Sequence, residues 1–206
     1  MPSSNIKLLE NLTPDMFRIV GILHGDGNMS FSRILITDKC KDYHITVLRP
    51  LFRKVFNLRF NLFHDQKRNS YYSHVKNKLV YNYLVAKLKI PKGSIRKNLF
   101  IPAYLKKANN NCKASYVGGI FDSEGSVSKR QAEMNLSTTC VGIHHLVKSF
   151  LRNNKIKFSQ LVRNRRQNKE YEIYIYGRDN IKRLLKIVEI KHPDKLLRLK
   201  QLSLVH

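Results

Sequence analysis

Two carboxylates in this chain occupy repeated settings. Asp26 closes the run Ile19-Val20-Gly21-Ile22-Leu23-His24-Gly25 and is followed by Gly27. Glu124 closes Val117-Gly118-Gly119-Ile120-Phe121-Asp122-Ser123 and is followed by Gly125. The two stretches superpose with an offset of 124 − 26 = 98 residues. Each acid falls at the expected C-terminus of an apolar helix, the end that is already partly negative. If the helices pack side by side, two like charges meet at two negative ends. A hard divalent cation such as Mg2+, held by carboxylate and backbone carbonyl oxygens, resolves that conflict. Beside a nucleic acid such an ion polarises a phosphodiester and activates water. The competing reading makes each acid an exposed partner in a surface ion pair. The second copy of acid plus glycine favours the catalytic reading.

The elements that must position these acids follow from the surrounding residues. Thr13 suits an N-cap, Pro14 the first helical position, and Asp15 the positive end of the dipole. Met16, Phe17, Ile19, Val20, Ile22 and Leu23 give a nearly all-round apolar helix, as for a buried one. Gly21 and Gly25 lie one turn apart, as do Gly119 and Ser123 in the second copy. Small residues at that spacing let two backbones approach, so the helices are expected to pack on each other across a pseudo-twofold axis. Gly27 and Gly125 are expected to end them in a left-handed cap.

The repeat continues. Ile36 to His44 matches Leu136 to His144 at an offset of 136 − 36 = 100, which places two extra residues in the second copy between Gly125 and Leu136. Growth of a hairpin turn accounts for them. Amphipathic stretches (Ile45 to Phe56, His145 to Leu151) precede polar-alternating segments around a basic turn (Phe60 to Lys78, Phe158 to Tyr176), and further amphipathic stretches (Leu79 to Leu88, Ile181 to Val188) close each copy. The order is helix, strand, strand, helix, strand, strand, helix, performed twice. The expected division is a first half at 1–105, a polar linker at 106–114 and a second half at 115–206, with a last helix from Asp194 to Leu204 after Pro193.

The charge names the partner. The chain has 206 residues, 39 Lys+Arg against 14 Asp+Glu, and a net charge of +25, yet 42% of it is hydrophobic. It can build a core, and its surplus charge calls for a polyanion, so nucleic acid is the expected ligand. No apolar run approaches the ~18 residues that span a bilayer. The first residues lack the apolar stretch of a signal peptide, and Cys40, Cys112 and Cys140 are not closely paired. An intracellular protein is expected, its compartment (archaeal or bacterial cytoplasm, or an organelle) left open.

The two motif segments resemble the paired motifs of the LAGLIDADG family, and the chain resembles a monomeric, double-motif LAGLIDADG homing endonuclease along nearly its whole length. Ile90-Pro91-Lys92-Gly93 and Lys191-His192-Pro193-Asp194-Lys195 are similar to the ends of that family's repeats. The resemblance implies an α+β fold of two pseudo-twofold-related αββαββα halves, with antiparallel sheets forming a DNA-binding saddle. It implies cleavage of both strands of a long asymmetric double-stranded DNA site, leaving short 3′ overhangs, by an intron-encoded enzyme. Asp26 and Glu124 would bind Mg2+ or Mn2+, with the carbonyls of Gly25 and Ser123 as further ligands; Ca2+ would support binding rather than cutting. The alternatives on the same fold are an RNA maturase, with intron RNA as partner, and a DNA-binding regulator that does not cut.

Two positions depart from the family pattern. Its sixth motif position holds His24 in one copy and Asp122 in the other. His24 is read as an orienting or packing residue rather than a third ligand. Where members often carry a Gln or Lys after the second strand, this chain has Asp38-Lys39 and Thr138-Thr139. Lys39 is the first candidate to stabilise phosphate charge, followed by Lys129 and Lys195.

Period-two alternation marks the expected DNA-facing residues. In the first half these are Asn28, Ser30 and Ser32 (alternating with apolar Met29 and Phe31), Arg33, Arg59, Asn61, His64, Gln66, Arg68, Tyr72, His74 and Lys76. In the second they are Ser126, Ser128, Arg130, Arg163, Arg165, Arg166, Gln167, Lys169, Glu172, Tyr174 and Tyr176. Arg, Asn and Gln suit base edges, whereas Lys mostly meets phosphate. Cys40-x-x-x-His44 and Cys140-x-x-x-His144 are not read as one zinc site, because equivalent positions of two halves lie far apart; the cysteines are expected to be buried at strand ends.

Overall fold

A computed structural model describes residues 6–94, 99–165 and 168–205. The first half begins with α1 (Pro14–Asp26), whose Thr13 hydroxyl accepts a hydrogen bond from the Met16 amide at 3.4 Å. It passes directly into β1 (Gly27–Ser30) and β2 (Arg33–Asp38). A π-helical turn, Tyr43–Leu48, leads into α2 (Arg49–Phe56). Then come β3 (Asn61–Asp65), β4 (Ser70–Lys76), α3 (Lys78–Ala86), a two-residue β5 (Gly93–Ser94) and α4 (Ala103–Lys107). The second half runs α5 (Asn110–Glu124), β6 (Gly125–Val127), β7 (Glu133–Thr138), α6 (Val141–Asn153), β8 (Ser159–Arg165), β9 (Asn168–Tyr176), α7 (Arg178–Leu185) and α8 (Pro193–Gln201).

The architecture is the expected α+β pair of repeated halves. The sheets are antiparallel, in the orders β3-β4-β2-β1-β5 and β6-β7-β9-β8. β5 extends the first beyond its four-stranded counterpart. Helices cover one face of each sheet over a core that includes Met29, Ile34, Ile36, Met134, Leu136, Ile173 and Ile175. The ladders also locate the two extra residues. Gly27 pairs with Ile36 and Gly125 with Leu136, separations of 36 − 27 = 9 and 136 − 125 = 11. The growth lies in the connection between β6 and β7.

Helices α1 and α5 pack against each other through their small residues. A Cβ on Gly21 would collide with the Tyr116 carbonyl, and one on Gly119 with the Arg18 carbonyl. The contact is therefore backbone on backbone, and a methyl group at either position has nowhere to go.

Three local expectations are corrected. Gly27 and Gly125 are extended (φ −81° and −79°), not left-handed, because each helix continues straight into a strand that needs β geometry. Gly125 is required for closeness instead: a Cβ there would lie 2.5 Å from the Phe121 carbonyl oxygen. Phe31 does not join Met29 in the core. With Ser32 it forms a two-residue hairpin turn in which both residues have positive φ (49° and 60°), and its side chain is 91% exposed. The strand twist selects that turn even where no glycine is present. The polar segment 106–114 holds the end of α4 and the first turn of α5, because the Asn109 side chain caps the Cys112 amide at 2.9 Å.

Candidate active site and nucleic-acid face

The packing of α1 on α5 brings the two acids together. A Cβ on Gly25 would lie 3.1 Å from the Glu124 Cγ and would overlap the Ser123 side chain. The C-terminal turns of the two helices thus abut, with Asp26 and Glu124 half-buried at their ends. The Ser123 hydroxyl turns back to the Gly119 and Ile120 carbonyls, at 3.0 and 3.2 Å. Two carboxylates over the exposed ends of two helix dipoles form an all-oxygen donor set, which fits a hard divalent cation.

Of the three candidate lysines, the fold brings Lys195 to this junction. It lies in the first turn of α8, and its Nζ donates to the carbonyls of Phe121 (2.8 Å), Asp122 and Ser123 (3.4 Å). A cation there complements the negative end of α5. Burial lowers the Lys195 ammonium pKa from its ordinary value, against the opposing pull of Asp122, Asp38, Asp26 and Glu124. Lys39 is exposed just beyond β2, and Lys129 is exposed in the β6–β7 connection, where it lines a shallow cavity with Asp194, Leu197, Arg198 and Gln201. The Ser123 carbonyl, expected to face a metal, is within reach of Lys195 instead.

The sixth motif position is buried in both copies. Asp122 is fully enclosed and holds Arg18 of α1 at 2.6 Å. Its other oxygen accepts the amides of Lys191 (2.8 Å) and His192 (3.0 Å), fixing the segment that leads into α8 and hence the place of Lys195. Arg18 is completed by the Glu189 carbonyl. His24 places Nδ1 3.0 Å from the Tyr116 hydroxyl, and burial lowers its pKa to about 3. It is a neutral packing residue.

Beside the junction, His192 Nε2 lies 3.3 Å from Asp38 and its ring stacks on Tyr43 at 4.6 Å. Burial raises the Asp38 carboxyl pKa. The stronger combined effect of His192, the Cys40 amide and Lys195 holds it below its ordinary value. Asp38, rather than its neighbour Lys39, is the side chain that turns inward. Sequence reasoning missed His192 and Tyr43. His192 acquires its place only through Asp38 and Tyr43 of the other half, which no local pattern connects to it.

The strand registers sort the expected DNA-facing residues. In the first sheet Asn28, Ser30, Arg33, Tyr72, His74, Lys76 and Asn61 share the face away from the helices. Phe63 joins them, stacked on Tyr72 at 5.3 Å and His74 at 5.0 Å, an aromatic ladder that the search for polar residues passed over. His64 falls on the opposite face, stacked on Tyr71 at 4.5 Å. Ser32 is in the hairpin turn, Gln66 and Arg68 are in the β3–β4 turn, and Arg59 precedes β3 beside α2. In the second sheet Ser126, Arg163, Glu172, Tyr174 and Tyr176 share the outer face, and Lys169 lies opposite. Glu172 is buried beneath Arg163 (3.0 Å) and Tyr174 (2.6 Å), so it organises those two side chains. Ser128 bonds the amides of Arg130 and Gln131 and shapes its loop. Arg130 is exposed there. Arg166 and Gln167 lie outside the described residues, as does the Arg165 side chain.

Two other features stand apart. A cavity of about 650 Å3 between residues 99–101 and α6 is not lined by either acid. Among the described residues no helix is long and apolar enough to cross a membrane.

Comparison with known proteins places these features in context. Residues 111–189 match the model of a LAGLIDADG-like domain. A complex of I-DmoI with DNA and Ca superposes with a TM-score of 0.65 at 18% identity, covering 93% of this chain and 100% of that one. Mesophilic variants of the homing endonuclease I-DmoI give 0.64 at 17% identity, over 87% of this chain and 97% of that one. Full-length DUF199/WhiA from Thermatoga maritima gives 0.63 at 10% identity, over 96% of this chain and 61% of that one. At these identities the likeness is one of fold. Among curated proteins, glutamine–fructose-6-phosphate aminotransferase of Methanocaldococcus jannaschii is 29% identical over 140 residues, 65% of this chain and 12% of that protein. The chain therefore matches about an eighth of that relative's length.

Proposed function

For a chain that carries a LAGLIDADG-like domain at residues 111–189 and has the fold of I-DmoI, we propose the activity of a site-specific DNA endonuclease. The observation that carries this reading is the abutment of two acid-bearing helix ends, one from each repeated half of a chain whose net charge is +25. Asp26 and Glu124 would hold a divalent cation, Mg2+ or Mn2+, with the Gly25 carbonyl as a further donor, while the Ser123 carbonyl lies within reach of Lys195. That cation supplies polarisation of the scissile phosphodiester and activation of water. Lys195 offsets charge at the α5 terminus, and Asp122 keeps α8 in register with it. The outer sheet faces follow the two grooves of a long target, the first half (1–105) reading one side and the second (115–206) the other. Pseudo-symmetric halves with different side chains suit an asymmetric target, and the family resemblance adds cutting of both strands by a monomer to leave short 3′ overhangs. The gene is proposed to lie within an intron and its product to act inside the cell.

Support also comes from the company of the fold. I-DmoI has been solved with DNA and Ca and with DNA and Mn. The similarity to WhiA favours a second reading, a DNA-binding regulator that does not cut. No observation favours intron RNA.

The acids separate the two readings. Asp26→Asn and Glu124→Gln should each abolish Mg2+-dependent double-strand cleavage while leaving DNA affinity, measured in Ca2+, within a few fold of the parent. Normal cutting by either variant would remove that acid from the site. Binding without cutting by the parent would favour the regulator.

A further inference from the structure

Beside the acid junction, side chains from the two halves form a second constellation. Cys40 Sγ follows β2 of the first half, while His192 and Asp194 open α8 of the second. A thiol sulfur, a ring nitrogen and a carboxylate oxygen of these three residues all lie within 4.8 Å of one another. The Cys40 Sγ to Asp194 Oδ1 distance is 3.6 Å. Metal–sulfur and metal–oxygen bonds of about 2.3 and 2.0 Å at a tetrahedral angle place those atoms roughly 3.5 Å apart, so the sulfur–oxygen pair already has the spacing of a shared ion.

The histidine supplies an independent observation. His192 is 4% exposed, and its Nε2 is engaged by Asp38 at 3.3 and 3.4 Å. Its Nδ1 is buried and has no hydrogen-bond partner. A carboxylate on one ring nitrogen with the other left over is the arrangement that orients a metal-binding imidazole. Tyr43, stacked on the ring, fixes its plane. The N-terminus of α8 opposes a cation, and two anionic ligands offset that opposition.

We propose that Cys40, His192 and Asp194 form a binding site for a soft divalent cation, Zn2+ above all, with water in the fourth position. It is separate from the all-oxygen site of Asp26 and Glu124. Zn2+ bound here fastens β2 of one half to α8 of the other, and so steadies the helix that carries Lys195.

The test uses the whole protein and Zn2+ alone. One tightly held Zn2+ per chain should survive dialysis, raise the melting temperature and protect Cys40 from a thiol reagent. Cys40→Ser and Asp194→Asn should each weaken retention at least about tenfold, whereas Glu124→Gln should not. Co2+ should give a sulfur-to-cobalt charge-transfer band that Cys40→Ser abolishes; circular dichroism checks that the variants are folded. Failure to retain Zn2+, or retention unchanged by both substitutions, would overturn the proposal. Neither result bears on cleavage by the two acids.

Discussion

Asp122 and Glu124 are two residues apart on one helix and have opposite roles. Glu124 sits at the helix end beside Gly25 of the other half, where we propose that it binds a cation. Asp122 is sealed under Arg18 and two backbone amides, where it fixes α8. The two candidate acids stand out in the sequence because they recur at equivalent positions, each before a glycine. Burial of Asp122 was not legible, because its partners come from positions 18, 191 and 192, which no local pattern connects. The place of Lys195 was hidden for the same reason: it reaches the junction only through the packing of α8. His24 provides a test at this scale. The unfolded chain takes up its proton near the ordinary 6.5, and the folded chain only near 3. Its contribution to stability is therefore complete above pH 6.5 and is lost as pH falls toward 3, at up to about 1.4 kcal/mol per pH unit. Denaturant midpoints across that range should show the decline, and His24→Gln should flatten part of it. An unchanged slope in the variant would mean that His24 protonates equally well in the folded state.

Among the elements, the motif helices were the most legible. Thr13, Pro14 and Asp15 start α1 as expected, and the spaced glycines mark the face on which α5 packs. Their ends were misread because a glycine after an acid fits a left-handed cap and a helix-to-strand passage equally well. Only the ladder from Gly27 to Ile36 decides between them. Phe31 was misplaced because alternation was carried one residue past the strand, into a turn whose geometry is set by strand twist. The π-helical turn at Tyr43–Leu48 left no mark in the periodicity. Helix packing yields a prediction whose sign is informative. On an isolated helix, Gly21→Ala would stabilise by roughly 1 kcal/mol through propensity. Against the Tyr116 carbonyl the methyl group must push two backbones apart, and a net loss of about 1–3 kcal/mol is expected in urea unfolding. A stabilised variant would mean that α1 and α5 are not in backbone contact.

At the scale of the molecule, +25 on 206 residues points to nucleic acid, and the sequence repeat divides the chain into the two halves that the fold shows. What charge could not provide was the sorting of surface residues by face. The registers put Asn61, Tyr72, His74 and Lys76 together with Phe63, turn His64 and Lys169 away, and bury Glu172 under Arg163 and Tyr174. The central claim is that the acid-bearing junction between the halves makes this basic, two-sheet molecule an endonuclease. It is tested most directly by selecting bound sequences from a randomised double-stranded DNA library in Ca2+, exchanging Ca2+ for Mg2+, and sequencing the ends. The account predicts that the selected molecules open in both strands within one long asymmetric sequence, with short 3′ overhangs. Selected sequences that remain bound and intact in Mg2+ and in Mn2+ would contradict it and leave a protein that reads DNA without cutting it.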